Sequence, residues 1–166
     1  MNKIGIIMGS DSDLPIAEKA IEKLAEYGIN YEVHVYSAHR TPEETIRFAK
    51  EARQNGFDAL IGIAGKAAHL AGVIAANTTL PVIGVPVNSS LEGMDALLST
   101  VQMPPGIPVA TVGIDAAANA AILAAEILAV SDEKLAQLLL KKRIEAKEAV
   151  LEKNHKIEEK WNGGTK

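Results

Sequence analysis

The sequence contains no cysteine, and only 4% of its 166 residues are aromatic. The absence of cysteine excludes disulfides, thiolate nucleophiles and zinc–thiolate sites. The scarcity of aromatic rings argues against a flavin-binding electron carrier, because few side chains are available to stack on an isoalloxazine. It also argues against a nucleic-acid surface, where aromatic residues are usually interleaved with a basic patch.

Basic patches and long apolar runs are also missing. The formal net charge is −4 and the basic residues are scattered except near the C-terminus, whereas a nucleic-acid surface clusters its lysines and arginines. No uninterrupted apolar run is long enough to span a bilayer. The first residues enter a strand pattern without the regions of a signal peptide. We therefore expect a cytoplasmic protein that contacts neither nucleic acid nor membrane.

The chain is instead rich in small aliphatic residues, with 48% hydrophobic residues in total. A core of that kind suits helices packed closely on a parallel sheet. The length fits one domain. We predict a single domain over residues 1–166, with a C-terminal helical extension at 130–161 and a tail at 162–166.

Short apolar runs alternate with helical patterns five times along the chain. The predicted strands are 4–8, 31–36, 59–64, 81–85 and 108–114. The predicted helices are 14–27, 42–56, one from about 68, one from about 91, and 116–128. The strands are continuously apolar, as buried parallel strands are. This pattern predicts an α/β three-layer sandwich built on a flavodoxin-like, five-stranded parallel sheet.

The segment from Ser131 to Trp161 has a different pattern, in which apolar residues recur among many lysines and glutamates. It predicts one long amphipathic helix, or two. The helix either folds onto its own sheet or packs on another subunit. We favour the second interpretation, because five β–α units are complete without it.

Ligands of such sheets bind beyond the carboxyl ends of the strands, and the first of these loops is Gly9 to Asp13. Gly9 permits close approach of a ligand to the backbone, and the hydroxyls of Ser10 and Ser12 suit an anion near a helix N-terminus. The loop has neither the Walker ending nor the dinucleotide glycine pattern. An ordinary turn with a capping Ser or Asp explains the same residues equally well.

The second loop runs from Ser37 to Pro42. Thr41 is predicted to cap the next helix, with Pro42 at its first position. Arg40 lies just before that helix, where a phosphate gains from both the guanidinium and the helix N-terminus. A lone histidine is more often structural than catalytic. The position of His39 at a strand end beside an arginine makes it an equally good candidate for acid–base chemistry.

The third loop, Ala64 to Gly72, is built from small residues that leave room for a ligand. His69 falls in the first turn of a helix, which favours a neutral imidazole and an orienting role. A surface histidine is the alternative interpretation. His39 and His69 have no third ligand at a recognisable spacing, so no metal site is predicted. The loops 86–95 and 102–108 are expected to wall the pocket.

Taken together, these loops resemble the PurE family, a resemblance that spans roughly Ile4 to Leu128. The matching segments are Met8-Gly9-Ser10-x-Ser12-Asp13, Ser37-Ala38-His39-Arg40-Thr41-Pro42, Ala67-Ala68-His69-Leu70, Gly84-Val85-Pro86-Val87 and Val101-Gln102-Met103-Pro104. Arg40 and His69 are typical of its mutase branch, whereas the carboxylase branch typically has Lys after Ser-Ala-His. Two departures are Lys66, where the mutases more often have Gly, and a shortened stretch at 88–95.

The resemblance implies an isomerase of purine (IMP) biosynthesis, which moves a carboxyl group from the exocyclic nitrogen of 5-(carboxyamino)imidazole ribonucleotide to ring carbon 4. It implies His39 as the catalytic residue. Ser10, Asp13 and Arg40 would bind the ribonucleotide, Ser12 and Ser37 would help at the phosphate, and His69 would orient the substrate carboxylate. The further implied substrate-binding residues are Gly9, Ala38, Gly65, Lys66, Ala67 and Leu70.

The resemblance also implies a homo-octamer that needs no ATP, metal or organic cofactor. It implies a functional link to the ATP-dependent synthetase that makes the carbamate. Two alternatives stay open at this point. One is an aminoimidazole ribonucleotide carboxylase that uses free carbon dioxide, and the other is a non-catalytic nucleotide-sensing module on the same fold.

Overall fold

A computed structural model describes residues 2–162 of the chain. The strands are β1 (Lys3–Met8), β2 (Asn30–Val35), β3 (Ala59–Gly65), β4 (Val82–Val87) and β5 (Ala110–Thr111). The α-helices are α1 (Leu14–Glu26), α2 (Pro42–Glu51), α3 (Leu70–Ala75), α4 (Met94–Val101), α5 (Ala117–Ala129) and α6 (Glu133–Trp161). Short 3₁₀ turns precede α1 and α4.

The strands form one parallel sheet in the order β2-β1-β3-β4-β5, with helices on both faces. This is the flavodoxin-like order, so the predicted fold is confirmed. Met8 pairs with Val35 of β2 on one side and with Ile63 of β3 on the other. The loops that follow β1, β2 and β3 therefore open at the same edge of the sheet.

The core is made of aliphatic side chains, as the composition predicted. Strands β1, β3 and β4 are almost wholly buried. The buried side chains of α5 are Ala117, Ala120, Ala121, Ala124, Ala125 and Leu128. Because an alanine face presents little bulk, a helix of this composition packs closely against its neighbours.

Three predicted boundaries are wrong. Helix α2 ends at Glu51, before the predicted 56, and β5 contains only two residues of the predicted 108–114. Pro108 has no N–H to donate to a strand partner. Helix α4 begins at Met94, because Leu91 and Glu92 have φ of +45° and +55°. Left-handed residues do not propagate a right-handed helix.

The chain divides into two compact units, one up to Leu128 and one from Ala129. The second unit contains α6, a single helix of 29 residues, which settles the choice between one helix and two. The Asp132 carboxylate caps it by accepting a hydrogen bond from Leu135 N–H at 3.1 Å. Nothing in this division tests the single-domain prediction. The predicted tail lies outside the described residues after Asn162.

Among residues 2–162, no helix combines the length and the apolar character that crossing a membrane requires.

Candidate active site

A pocket of about 580 Å³ opens at the carboxyl ends of β1, β2 and β3. Its volume suits a small phosphorylated ligand. It is lined by Gly9, Ser10, Ser12, Asp13, Ser37, Ala38, His39, Arg40, Ala64, Gly65, Lys66, Ala67, His69, Leu70 and Ser89. The sheet topology thus brings all the residues that the sequence marked as site residues into one cavity. Their roles stay predictions.

The loop that carries His39 is closed by hydrogen bonds at its base. Ser37 N–H donates to Thr41 Oγ1 at 2.8 Å, and Thr41 N–H donates to the Ser37 carbonyl at 2.9 Å. Arg40 N–H donates to Ser37 Oγ at 3.2 Å. Thr41 is the cap position of α2, but its side chain makes no capping bond. The hydroxyl instead ties the loop to Ser37, which limits the positions that His39 can take.

The two pocket histidines are bonded to each other. His39 Nε2 and His69 Nδ1 are 2.8 Å apart, and the rings meet edge to face with centroids 5.0 Å apart. One ring must donate and the other accept, so at most one of the two is an imidazolium in this arrangement. The hydrogen bond joins the loop after β2 to the loop after β3. It leaves His39 Nδ1 and His69 Nε2 for other partners.

The loop after β1 gathers hydroxyls and a guanidinium. Ser10 Oγ accepts from Ser12 N–H at 3.3 Å, and the two hydroxyls are 2.9 Å apart. Arg40 Nη2 donates to the Gly9 carbonyl at 3.3 Å. The Arg40 side chain therefore lies beside the serines. The group offers several hydrogen-bond donors and a fixed positive charge, which together suit a phosphate.

Asp13 is a buried carboxylate at the edge of the pocket, with 8% of its surface exposed. Burial raises the pKa of its carboxyl above the ordinary value, against the lowering effect of hydrogen bonds with Ser10 and Ser12. The negative charge of Asp11 raises the pKa further. The ionised carboxylate is therefore less well solvated than in water, and an added hydrogen-bond donor would stabilise it.

We expect Asp13→Asn to unfold at a higher urea concentration than the wild type at pH 7. A carboxyl whose pKa is higher in the folded state than in the unfolded state stabilises the fold at low pH. This contribution is complete below the unfolded-state pKa of about 3.9, and it is lost as the pH rises through the folded-state pKa. At neutral pH the wild type thus carries a buried charge that asparagine lacks. Urea unfolding at several pH values measures this difference, which should shrink on acidification. A variant less stable than the wild type at pH 7 would contradict it.

The loop after β3 has an uncommon backbone. Lys66 has φ of +55°, a left-handed conformation that costs a non-glycine residue on the order of 1–3 kcal/mol. Ser99 holds this loop, since its Oγ accepts from Ala68 N–H at 2.9 Å and lies 3.4 Å from the Lys66 carbonyl. A Cβ on Gly65 would lie 2.2 Å from Ser89 Oγ. Only glycine permits that approach.

Ser89 and Ser99 were not singled out by the sequence analysis. Ser89 belongs to a loop that was expected only to wall the pocket, and it does line the cavity. Ser99 lies in the middle of α4 and supports the loop through its hydroxyl. A serine inside an amphipathic helix carries no sequence signal for such a contact.

Within residues 2–162, no three His, Asp or Glu side chains come together as a metal site would require. Structural and catalytic zinc sites need at least three protein ligands. The two pocket histidines form a hydrogen bond with each other through His39 Nε2 and His69 Nδ1.

Comparison with known proteins places the chain in a family. The sequence model of the AIR carboxylase family matches residues 3–149. N5-carboxyaminoimidazole ribonucleotide mutase of Methanocaldococcus jannaschii is 57% identical over 94% of this chain and 98% of its own length. The mutase of Thermotoga maritima is 51% identical over 96% and 94%. The crystal structure of Treponema denticola PurE has a TM-score of 0.83 and 29% identity, covering 94% of this chain and 98% of that one. The chain therefore belongs to the AIR carboxylase family, which is the PurE family that its loop motifs resemble.

Proposed function

We propose that the protein is an N5-carboxyaminoimidazole ribonucleotide mutase of purine biosynthesis. It converts 5-(carboxyamino)imidazole ribonucleotide to 4-carboxy-5-aminoimidazole ribonucleotide. The names of relatives that match nearly the whole chain support this function. The observation that carries it is a single pocket that holds a histidine pair beside an arginine and a serine cluster.

The polar groups that line the pocket support a binding role for each part of a ribonucleotide. Arg40, Ser10 and Ser12 form the donor-rich end and would take the phosphate. Asp13 would accept hydrogen bonds from the ribose hydroxyls, which would add to those its buried carboxylate already has with Ser10 and Ser12. The aminoimidazole ring would then lie toward His39 and His69, which line the same cavity.

The reaction requires one proton to be given and one to be taken. We propose that His39 protonates the carbamate nitrogen as the carbon–nitrogen bond breaks and carbon dioxide leaves. Ring carbon 4, the nucleophile of this electron-rich ring, then attacks the confined carbon dioxide. His39 removes the carbon 4 proton, which restores the aromatic ring and the starting protonation state. An imidazole can act in both directions near neutral pH.

In this mechanism the hydrogen bond between the two histidines orients His39. It fixes the His39 ring through Nε2 and leaves Nδ1 as the nitrogen that can reach the ligand. An oriented base needs less reorganisation in the transition state. His69, through its free Nε2, would orient the carboxylate of the substrate.

The test is turnover of the carbamate without added bicarbonate. A mutase converts it at a rate independent of bicarbonate, because the carbon dioxide stays in the pocket. A carboxylase would act on aminoimidazole ribonucleotide with a rate that rises with bicarbonate. A nucleotide-sensing module would bind either ligand without turnover, and that result would overturn the proposal.

We further propose a cytoplasmic homo-octamer that receives its carbamate from an ATP-dependent synthetase. Helix α6 carries large apolar side chains that are exposed, among them Leu140, Ile144, Leu151 and Trp161. Such side chains suit burial between subunits. Sedimentation equilibrium is expected to give about eight times the chain mass of 17.6 kDa. A species of one chain would contradict the octamer.

A further inference from the structure

We propose that Lys66 forms a carboxylate subsite in this pocket, whose ammonium group binds the carboxyl group in both the carbamate and the carboxylated product. The inference rests on the proposed mutase function and deepens it. Lys66 follows the pocket-lining Gly65 and adopts φ of +55°. Non-glycine residues are uncommon in that region, and strained residues cluster at functional sites.

The backbone around Lys66 is fixed by contacts that do not involve its side chain. Ser99 Oγ accepts from Ala68 N–H at 2.9 Å and donates toward the Asp95 carbonyl at 2.7 Å. His69 N–H donates to the Ala67 carbonyl at 2.8 Å. These bonds would hold the same backbone with glycine at position 66, without the strain of a Cβ. The lysine side chain is therefore not needed for the shape of the loop.

The charges of the pocket match the charges of the ligand. Arg40 and Lys66 are the arginine and the lysine among the residues that line it. The proposed substrate and product each carry two anionic groups, a phosphate and a carboxyl group. Arg40 lies against the Gly9 carbonyl, at the serine end. Lys66 belongs to the loop after β3, next to the histidine end where the carboxyl group must react.

No carboxylate of residues 2–162 neutralises Lys66 through an ion pair within 4.0 Å. Its positive charge acts weakly on the Asp95 carboxylate. A hydrogen bond from Ser90 is the main cause that lowers the pKa of that carboxyl, and Lys66 adds a smaller effect. The Asp95 carboxylate already accepts hydrogen bonds from Ser90 Oγ and from Ala96 N–H. The Lys66 ammonium group is thus available to bind an anionic group of a ligand.

The charges of the substrate and the product predict how loss of this subsite would change the kinetics. Carbamate and carboxylate both carry a negative charge, whereas carbon dioxide between them is neutral. A cation that binds both ends contributes mainly to ground-state affinity. Its loss should therefore raise KM more than it lowers kcat.

The experiment compares Lys66→Gln with the wild type in the full-length chain. Calorimetry measures the affinity for 4-carboxy-5-aminoimidazole ribonucleotide and for 5-aminoimidazole ribonucleotide, which lacks the carboxyl group. We expect Lys66→Gln to weaken the affinity for 4-carboxy-5-aminoimidazole ribonucleotide by about tenfold, because one charge-assisted hydrogen bond is lost. The affinity for 5-aminoimidazole ribonucleotide should stay within about twofold of the wild-type value. Lys19→Gln, on the exposed surface of α1, is the matched control and should change neither.

A second variant separates the charge from the strain. Lys66→Gly should show the same loss of affinity for the carboxylated ligand, yet unfold at a higher urea concentration than the wild type. Equal weakening of both ligands, or no weakening of either, would overturn the subsite. Wild-type turnover of the carbamate tests the mutase function by itself. A protein without that turnover would refute the proposed function, whatever the two affinities are.

Discussion

Replacing His39 by asparagine is expected to lower kcat for the carbamate by about 10²–10⁴-fold. Asparagine can occupy much of the same space and can still form a hydrogen bond to His69. It cannot donate a proton to the carbamate nitrogen and then accept one from carbon 4. Because the phosphate end of the pocket is untouched, affinity for the ribonucleotide should change little. Steady-state kinetics with calorimetry on the same preparation separates these two effects.

The matched control for this prediction is His155→Asn. His155 lies on α6, where it pairs with Glu159 at 3.2 Å, and it does not line the pocket. Its replacement should leave kcat unchanged. Near-wild-type turnover of His39→Asn would show that the proton is carried by another group. His69 would then be the first residue to test, because it is the hydrogen-bond partner of His39.

Replacing Gly84 by alanine is expected to destabilise the protein by about 1–3 kcal/mol. Gly84 lies in the middle of β4, where a Cβ would be 2.4 Å from Thr100 Cγ2 and 3.0 Å from Val109 Cγ1. Thr100 is buried, and its hydroxyl donates to the Ala96 carbonyl at 2.7 Å. The side chain therefore cannot rotate away without losing that bond. Urea unfolding monitored by circular dichroism gives the free energy of unfolding.

The cause can be tested by removing the methyl group that blocks the new Cβ. Thr100→Ser keeps the hydroxyl and deletes Cγ2, so Gly84→Ala should be less destabilising in the Thr100→Ser background than in the wild type. Such contacting pairs couple by about 0.5–3 kcal/mol. Gly113→Ala is the control substitution, since its Cβ would have its nearest neighbour at an ordinary 3.6 Å. Equal costs in both backgrounds would show that the clash with Thr100 is not the cause.

The sequence predicts the sheet well because buried parallel strands have a strong signature. Continuous apolar runs with helices between them define the five β–α units and, with the preference for the flavodoxin-like order, the sheet. The strand ends then identify the site, because parallel strands deliver their following loops to one edge. That rule brings His39 and His69 to the same cavity, although 30 positions separate them in the chain.

The remaining features depend on contacts that no local pattern encodes. The left-handed backbone at Leu91 and Glu92 delays α4, and neither residue type announces it. Thr41 precedes α2 as the sequence predicts, but its hydroxyl forms a hydrogen bond with Ser37 instead of capping the helix. The support of the third loop by Ser99 depends on how α4 lies beside that loop. Such details follow from tertiary packing and cannot be obtained from spacing alone.

Because it joins His39 to His69, the hydrogen bond between them makes catalytic activity depend on the register of two strands. The two rings lie in the loops that follow β2 and β3, two strands that are not neighbours in the sheet and that both pair with β1. A slip of one residue in either pairing moves a strand end by about 3.3 Å, more than a hydrogen bond tolerates. During refolding, catalysis should therefore return only when both pairings have reached their final alignment, later than the recovery of helical content.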